Sequence, residues 1–322
     1  MTDLPVIDLT GLEAGSAATL DRVAHEVETA TALSGFFYVS NHGIAEESIA
    51  ALMAAACGFF AAPPAVKAAI AINQVNRGYL AEGQARMRGA AHTDLKEVFF
   101  WGRELADDDP DLVAGRALCG PNQWPSAPPG FRADVERYFH AVRSVGTALL
   151  RAFAVSLGSG PDFFAPHYAR PMARGQLIHY PAPPADAADD LFGVAPHSDF
   201  GCITLLYQEM PGLEVLTRRG DWIAAPPIAG TLVINIGDLL ERWTNGRLPS
   251  TTHRVRNTSG GDRYSAAVFY DPSPSAVVDP RALPGAGETR FPPIAAADYI
   301  LQRNQSVFAH YDPTIGEARP DP

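Results

Sequence analysis

The stretch GVAPHSDFGCITLLYQ, residues 193–208, places a histidine and an aspartate two positions apart, just before a β-like run. In an extended segment, side chains at positions i and i+2 lie on the same side of the chain. His197 and Asp199 are therefore predicted to direct an imidazole and a carboxylate at a common ion. The same His-x-Asp spelling occurs at 92–94 and 310–312, so the surrounding sequence has to decide among the three pairs.

A third ligand and a carboxylate-binding pair follow the 193–208 stretch. His253, in PSTTHRVRN, lies 54 residues after Asp199 and opens another β-like run. Two histidines and one carboxylate on one face of a metal form the facial triad of non-haem Fe(II) oxygenases. Ten residues later come Arg263 and Ser265, another i, i+2 pair, in which a guanidinium beside a hydroxyl suits a carboxylate. Tyr180, in LIHYP, is a candidate to add a hydroxyl from a neighbouring strand.

The other two His-x-Asp pairs lack such companions. For His92 and Asp94 the distant candidate is His140, which falls in the middle of a predicted helix, and no Arg-x-Ser follows it. The pair at 310–312 is ten residues from the last residue of the chain, which leaves no room for a third ligand. The pair within 193–208 is therefore the predicted metal site.

Composition limits the classes of function. The 322 residues are 47% hydrophobic, enough for a sizeable core, and 28 Gly and 28 Pro spread along the chain favour a turn-rich β fold. A net charge of −11 argues against nucleic acid or an anionic membrane as partner and leaves a small-molecule substrate open. No stretch reads as a signal peptide or a membrane span. Three separated cysteines without C-x-x-C predict reduced thiols and a cytoplasmic protein. The oligomeric state stays open.

Hydrophobic periodicity predicts helices in the first half of the chain. Apolar residues at helical spacing indicate one helix from about residue 20 to Gly35 and a second from about residue 49 to Pro63. A long helix is predicted from about Phe131 to Leu157, with Gly158 as its cap.

The second half of the chain reads as short strands. QLIHYP, CITLLYQ, LEVL, TLVINIGDLL, HRVRN and RYSAAVFYD are β-like runs separated by turn residues, without strand–helix–strand alternation. The pattern predicts a mainly β protein with flanking helices (α+β), folded as one domain over 1–322. Its expected parts are a helix-rich N-terminal region (1–160), a β core (161–275) and a C-terminal cover (276–322).

Together these motifs resemble the iron(II)- and 2-oxoglutarate-dependent oxygenases, in the branch that includes isopenicillin N synthase and the plant flavonoid and hormone oxygenases. The resemblance covers nearly the whole chain. It is carried, in order, by LPVIDL, GFFYVSNHGI, DLKEVFFWG, PNQWP, HYP, HSDFGCITLLYQ, PGLEV, GTLVINIGDLLERWTNGRLPSTTHRV and RYS. It implies a double-stranded β-helix, or jelly-roll, core.

The resemblance also implies a role for each candidate residue. Arg263 and Ser265 would bind the distal carboxylate of 2-oxoglutarate, with Tyr180 assisting. Oxidation of an unactivated C–H bond of a small molecule by O₂ would yield succinate and CO₂, with hydroxylation, desaturation or cyclisation as the outcome. The residues that would bind Fe(II), and thus form the catalytic centre, are His197, Asp199 and His253.

Other functions remain open at this stage. Where the plant enzymes read Asn-Tyr-Tyr-Pro, this chain reads Ile178-His179-Tyr180-Pro181, a variant closer to isopenicillin N synthase, which uses no 2-oxoglutarate. A 2-oxoglutarate-independent Fe(II) oxidase is therefore the first alternative. The second is a non-catalytic carboxylate-binding protein on the same fold. A zinc hydrolase is a weaker one, since it would leave Arg263 and Ser265 without a task.

Residues 77–101 are the expected source of substrate contacts. The segment mixes aromatic residues with Arg77, Arg86 and Arg88. Each arginine is a candidate to bind a carboxylate of the substrate.

Overall fold

A computed structural model describes residues 4–12, 16–184, 186, 188 and 190–315. The strands are β1 (Val6–Asp8), β2 (Phe36–Ser40), β3 (Gly78–Leu80), β4 (Glu97–Gly102), β5 (Arg174–Tyr180), β6 (Val194–His197), β7 (Ile203–Gln208), β8 (Leu213–Leu216), β9 (Trp222–Ala224), β10 (Thr231–Ile236), β11 (His253–Val255), β12 (Arg263–Tyr270), β13 (Val277–Val278) and β14 (Ile294–Ala295). The α-helices are α1 (Ala17–Leu33), α2 (Glu46–Phe60), α3 (Pro64–Ala68), α4 (Pro110–Val113), α5 (Phe131–Ser156), α6 (Asp238–Trp243) and α7 (Ala296–Asn304).

Two facing sheets form the β core. The larger sheet has eight strands in the order β1-β2-β10-β7-β12-β5-β4-β3, and the smaller has four in the order β6-β11-β8-β9. A short pair, β13 and β14, stands apart from both. This arrangement confirms the predicted mainly β protein with flanking helices and a jelly-roll core.

The N-terminal strands extend the larger sheet. β1 pairs with β2 in parallel, and α1 connects them, so the N-terminal region contains one strand–helix–strand unit. The named strands of all three sheets in the described residues otherwise pair antiparallel. Because β2 also pairs with β10, the helix-rich region shares the larger sheet with the β core.

Helices α1, α2 and α5 cover the outer face of the larger sheet. The 26 residues of α5 bury one apolar face, which includes Val135, Val142 and Leu149. The predicted ends are confirmed: α5 stops at Ser156, and Gly158 follows with a left-handed φ of 77°. Among the described residues, none of the helices combines the length and the apolar character that a bilayer crossing requires.

The run TLVINIGDLL was predicted as one β-like segment, and this is wrong in its second half. β10 ends at Ile236 and α6 begins at Asp238. Gly237 lies so close to the neighbouring turn that a Cβ there would stand 2.3 Å from the carbonyl oxygen of Gly201. The glycine thus lets the start of α6 pack against the turn that follows Asp199.

A second apolar cluster fills the space between the two sheets. It surrounds a cavity whose empty space is about 880 Å³, part of it open to solvent. A concave, mostly apolar cavity with a few polar groups is typical of a site for small molecules.

Candidate active site

The structure brings the three predicted metal ligands together between the two sheets. His197 ends β6 and His253 begins β11, and the two residues are directly paired across these strands. The Nε2 atoms of His197 and His253 lie 3.8 and 3.7 Å from Oδ1 of Asp199. One ligand atom from each residue falls within 4.8 Å of the other two. Such a cluster has the size and composition of a mononuclear metal site.

Asp199 reaches this cluster from a turn. β6 ends at His197, so Asp199 lies beyond the strand and not within the extended segment that its spacing suggested. The backbone N–H of Asp238, at the start of α6, donates to the carbonyl oxygen of Asp199 at 2.7 Å. The turn also needs Gly201, where a Cβ would stand 1.9 Å from Oδ1 of Asp271. The side chains therefore converge because α6 and this glycine fix the turn.

Hydrogen bonds select which atom of each residue faces the metal position. Nδ1 of His197 lies 2.9 Å from the carbonyl oxygen of Ala195, and Nδ1 of His253 lies 3.1 Å from that of Thr251. A carbonyl only accepts, so we assign the ring proton to Nδ1 in both residues. The Nε2 lone pairs are then free for a metal, in the arrangement usual for metal-binding histidines.

The carboxylate of Asp199 is oriented in the same way. Its Oδ2 accepts hydrogen bonds from the Thr204 hydroxyl and from Nδ2 of Asn235 at 2.7 Å. Oδ1 is the atom that faces the two histidines. Thr204 and Asn235 were missed by sequence reasoning, although each is the one polar residue within a short apolar run, ITLL and LVINI.

Burial sets the ionisation of the cluster. Burial lowers the pKa of His197 to about 3, and the nearby His253 and Lys96 act in the same direction. Burial alone would raise the pKa of Asp199, but the two imidazoles and the hydrogen bonds from Asn235 and Thr204 hold it below its usual value. A neutral imidazole and an ionised carboxylate are the forms that bind metal.

Side chains on the inner face of the larger sheet lie in rows across neighbouring strands. The row level with Asp199 consists of Asn235, Thr204, Phe269 and Arg174, on β10, β7, β12 and β5. All four line the cavity. We call this the metal-level row.

The following rows, two residues further along each strand, lead to the predicted carboxylate site. The next row contains Leu206, Ala267 and Gln176, which also line the cavity. On the same face of β12, Ser265 and Arg263 come two and four residues before Ala267. At ~3.4 Å per residue, Ser265 is ~14 Å along β12 from the metal-level row.

Arg263 is fully buried and held in place by its neighbours. Its Nη2 donates to Oε1 of Gln208 at 2.8 Å, and its Nε donates to the carbonyl oxygens of Met210 and Pro211 at 3.3 and 3.1 Å. Its Nη1 and the buried hydroxyl of Ser265 have no hydrogen-bond partner in the described part of the chain. Unpaired buried donors are costly unless a ligand satisfies them. A bound carboxylate would accept a hydrogen bond from each of these two groups.

Tyr180 pairs directly with Arg263 across β5 and β12 and lines the cavity. The Arg263 guanidinium carbon lies 4.7 Å from the centre of the Tyr180 ring, so the aromatic face supports the cation. Burial lowers the pKa of Arg263, and Tyr180 opposes this effect. His179 points to the other side of β5, as expected, where its Nδ1 lies 2.8 Å from a Glu97 carboxylate oxygen.

The three arginines expected to meet the substrate lie outside the set of cavity-lining residues. Nη1 of Arg77 donates to the carbonyl oxygens of Val75 and Asn76, so the buried guanidinium supports its own loop. Arg86 donates to the carbonyl oxygen of Thr314, and Arg88 is exposed. Among the described residues, the Lys and Arg side chains that line the cavity are Lys96 and Arg174.

Two family models match this chain. Residues 4–127 match the model described as non-haem dioxygenase in morphine synthesis N-terminal, and residues 173–272 match the 2OG-Fe(II) oxygenase superfamily. The chain is also 36% identical to the 2-oxoglutarate-Fe(II) type oxidoreductase hxnY of Emericella nidulans, over 92% of this chain and 88% of that protein.

Solved structures with bound 2-oxoglutarate share the fold. A full-length Neurospora crassa protein in complex with 2-oxoglutarate and thymine has a TM-score of 0.82 and 27% identity, over 93% of this chain and 96% of that one. JOX2 in complex with 2-oxoglutarate, iron and JA has a TM-score of 0.78 and 26% identity, over 96% and 88%. These relatives favour 2-oxoglutarate dependence over the oxidase alternative. The chain belongs to the 2OG-Fe(II) oxygenase superfamily and is a non-haem Fe(II) dioxygenase that uses 2-oxoglutarate and O₂.

Proposed function

We propose that this chain oxidises an unactivated C–H bond of a small molecule at an iron site formed by His197, Asp199 and His253. The observation that carries this proposal is the convergence of two Nε2 atoms and one carboxylate oxygen, each left free because the other polar atom of its side chain is hydrogen-bonded elsewhere. Iron(II) held by these three residues would supply the oxidising chemistry that consumes O₂ and 2-oxoglutarate and yields succinate and CO₂. The outcome for the substrate is hydroxylation, desaturation or cyclisation.

The protein's own part in this reaction is to orient the metal ligand Asp199 and the cosubstrate, and to exclude water from the site. Thr204 and Asn235 keep Asp199 from rotating, so that one oxygen remains directed at the metal position. We assign the distal carboxylate of 2-oxoglutarate to Nη1 of Arg263 and the hydroxyl of Ser265, with Tyr180 packed on the guanidinium. Cosubstrate bound there would extend along the cavity towards the metal-level row.

We propose further that residues 1–322 act as one oxygenase domain with the parts 1–160, 161–275 and 276–322. The sheet that joins β2 to β10 supports this, because it connects the first part to the second. A cytoplasmic location is consistent with Cys57, Cys119 and Cys202, all of which are free. The charge of −11 favours a small-molecule partner over nucleic acid or an anionic membrane.

The experiment that tests the proposal is anaerobic addition of Fe(II) and then 2-oxoglutarate to the apo protein, monitored by visible absorption. A charge-transfer band is expected when the keto acid chelates the iron. With Arg263→Gln the protein should bind iron normally, and the 2-oxoglutarate concentration for half-maximal absorbance should rise on the order of 100-fold, because a buried charged hydrogen bond is lost.

The matched control is Arg88→Gln, which removes an exposed arginine outside the cavity and should leave the titration unchanged. The cosubstrate assignment is wrong if iron binds to the unaltered protein and no band appears. It is also wrong if Arg263→Gln titrates like the unaltered protein.

A further inference from the structure

Arg174 is a buried cation that the proposed function does not use. It begins β5 and belongs to the metal-level row, two strands away from Thr204, which holds Asp199. Neighbouring strands are ~4.8 Å apart, and both side chains line the same cavity. The Arg174 guanidinium and the metal position therefore face the same part of the cavity, remote from Arg263 at the other end of β12.

In the ion pair that Arg174 forms with a buried carboxylate, the guanidinium lies on the side of the cavity. Nη2 of Arg174 donates to Oδ2 of Asp271 at 2.7 Å. Asp271 is fully buried and does not belong to the cavity lining, and its Oδ1 accepts from the backbone N–H of Cys202 at 2.8 Å. The carboxylate therefore lies behind the guanidinium and shares its charge with a backbone donor. Nη2 is the only guanidinium nitrogen of Arg174 with a hydrogen bond to a described residue.

Two amide side chains, Asn304 and Gln176, line the same cavity as Arg174. Asn304, at the end of α7, is 2% exposed, and its Nδ2 has no hydrogen-bond partner among the described residues. Gln176 lines the cavity one row below Arg174. Buried amides in native structures are almost always satisfied, so Nδ2 is a donor available to a bound molecule with acceptor atoms.

The remaining wall at this end is aromatic. Phe100, Phe200, Phe269 and Phe308 line the cavity, and the rings of Phe100 and Phe308 meet edge to face with their centres 5.7 Å apart. Such a wall favours a flat ring in the space between. The guanidinium carbon of Arg174 lies 5.4 Å from the centre of the Phe269 ring, so the polar and aromatic parts adjoin.

Lys96, the other cation of the cavity, occupies a different position. It precedes Glu97, which pairs with His179, and this places it beside Tyr180 at the cosubstrate end of β5. Its Nζ lies 3.0 Å from Oδ2 of Asp94. The backbone of Lys96 is therefore separated from that of Arg174 by most of the length of β5, although its ammonium is near enough to His197 to lower the pKa of that imidazole.

We propose that Arg174, assisted by Asn304 and Gln176, binds a carboxylate of the substrate, and that the substrate is a small, flat, ring-bearing carboxylic acid. The ring lies among the four phenylalanines, with a C–H bond directed at the metal position. This inference rests on the proposed function, since the metal position is defined there.

The test uses benzoate as probe and benzamide as its uncharged isostere. Protein loaded anaerobically with Fe(II) and 2-oxoglutarate is titrated with each, and binding is measured by calorimetry while the charge-transfer band is recorded. Benzoate should bind at least about tenfold more tightly than benzamide, with the band retained, since hydrogen bonds to charged groups are the stronger ones.

Variants locate the bound carboxylate. Arg174→Gln should weaken benzoate binding by about tenfold or more and leave benzamide binding nearly unchanged. Because this change leaves Asp271 without its partner, the double variant Arg174→Gln/Asp271→Asn is made as well, and the same loss is expected. Arg88→Gln, which alters an exposed arginine outside the cavity, should bind benzoate within about threefold of the unaltered protein, a difference well below the loss expected at a charged contact.

Three results would overturn the inference: equal affinity for benzoate and benzamide, unchanged benzoate binding in both Arg174 variants, or loss of the band on adding benzoate, which would place the probe at Arg263. Failure of the proposed function looks different, because the band would then be absent before any probe is added.

Discussion

The three His-x-Asp pairs have the same two-residue spacing but differ in the contacts and burial of their side chains. At His197 and Asp199 the two side chains converge, and His253 joins them. At 92–94 they separate: His92 lies near the surface, 3.3 Å from a carboxylate oxygen of Asp190, whereas Asp94 is buried against Lys96. The difference teaches that a two-residue spacing places side chains near each other only where the backbone beyond the motif is fixed.

The pair at 310–312 separates as well. Nε2 of His310 lies 2.7 Å from Oδ1 of Asn76, and Asp312 accepts hydrogen bonds from the backbone N–H and hydroxyl of Thr314. His310 therefore connects the C-terminal segment to the loop that precedes β3, and Asp312 closes a local turn. Among the described residues, these two side chains join no cluster of three groups that could hold a metal.

The largest effect is expected from His197→Ala. Loss of a residue that only supports a ligand costs 10–100-fold in metal affinity, so loss of a ligand should weaken Fe(II) binding by about 1,000-fold or more. Anaerobic Fe(II) titration measures the change, and His92→Ala should bind like the unaltered protein. If His197→Ala and His92→Ala bind iron equally well, the assignment of the metal site to the pair at 197–199 is wrong.

Asp94→Asn should change stability and leave the metal site intact. Asp94 accepts from the backbone N–H of Ala195 and forms the buried ion pair with Lys96, so the amide would leave a buried ammonium uncompensated. A loss of about 3–5 kcal/mol in the free energy of unfolding is expected, with one Fe(II) still bound per chain. Urea unfolding and an iron titration measure the two quantities. Asp312→Asn, at an exposed turn, is the control and should lower stability far less.

Asn235→Ala should weaken Fe(II) binding by about tenfold, because Oδ2 of Asp199 would lose one of the two hydrogen bonds that orient it. Iron titration of Asn245→Ala provides the comparison, since that asparagine binds the backbone carbonyls of residues 286 and 288, outside the cavity lining. If Asn235→Ala binds iron with unaltered affinity, the orientation of Asp199 does not depend on this hydrogen bond and is set by the turn that contains the residue.

The smallest effect concerns pH and His310. Burial lowers the pKa of His310 to about 4 in the folded protein, below its usual value near 6.5. Between these pH values the unfolded chain binds a proton that the folded chain does not, so acidification destabilises the fold through this residue. The contribution is about 1 kcal/mol after allowance for partial exposure. The apo protein should therefore lose more stability than His310→Gln does when the pH falls from neutral towards the lowered pKa, as measured by urea unfolding. Identical losses in the two proteins would contradict this.

Much of the site follows from local pattern. Helical periodicity located α1, α2 and α5, and turn-bounded β-like runs located the strands that carry His253, Arg263 and Tyr180. The candidate ligands were recognisable because the histidine, carboxylate and Arg-x-Ser pattern all fell at strand ends or on one strand face. Local sequence failed at Gly237, where a β-like run contains a helix start, because the cause is contact with the turn at Gly201, far earlier in the chain.

The sequence by itself determined the chemistry of this protein: which residue types meet, in which order, and on which strands. Tertiary structure alone decided which oxygen of Asp199 remains free, through Thr204 and Asn235, and which cation faces the cavity. Arg77 lies in the segment expected to contact substrate but hydrogen-bonds to its own loop, whereas Arg174, outside that segment, lies level with the metal position. The reason is physical, since strand register between residues far apart in the chain sets which side chains share a row, and no local pattern encodes that register.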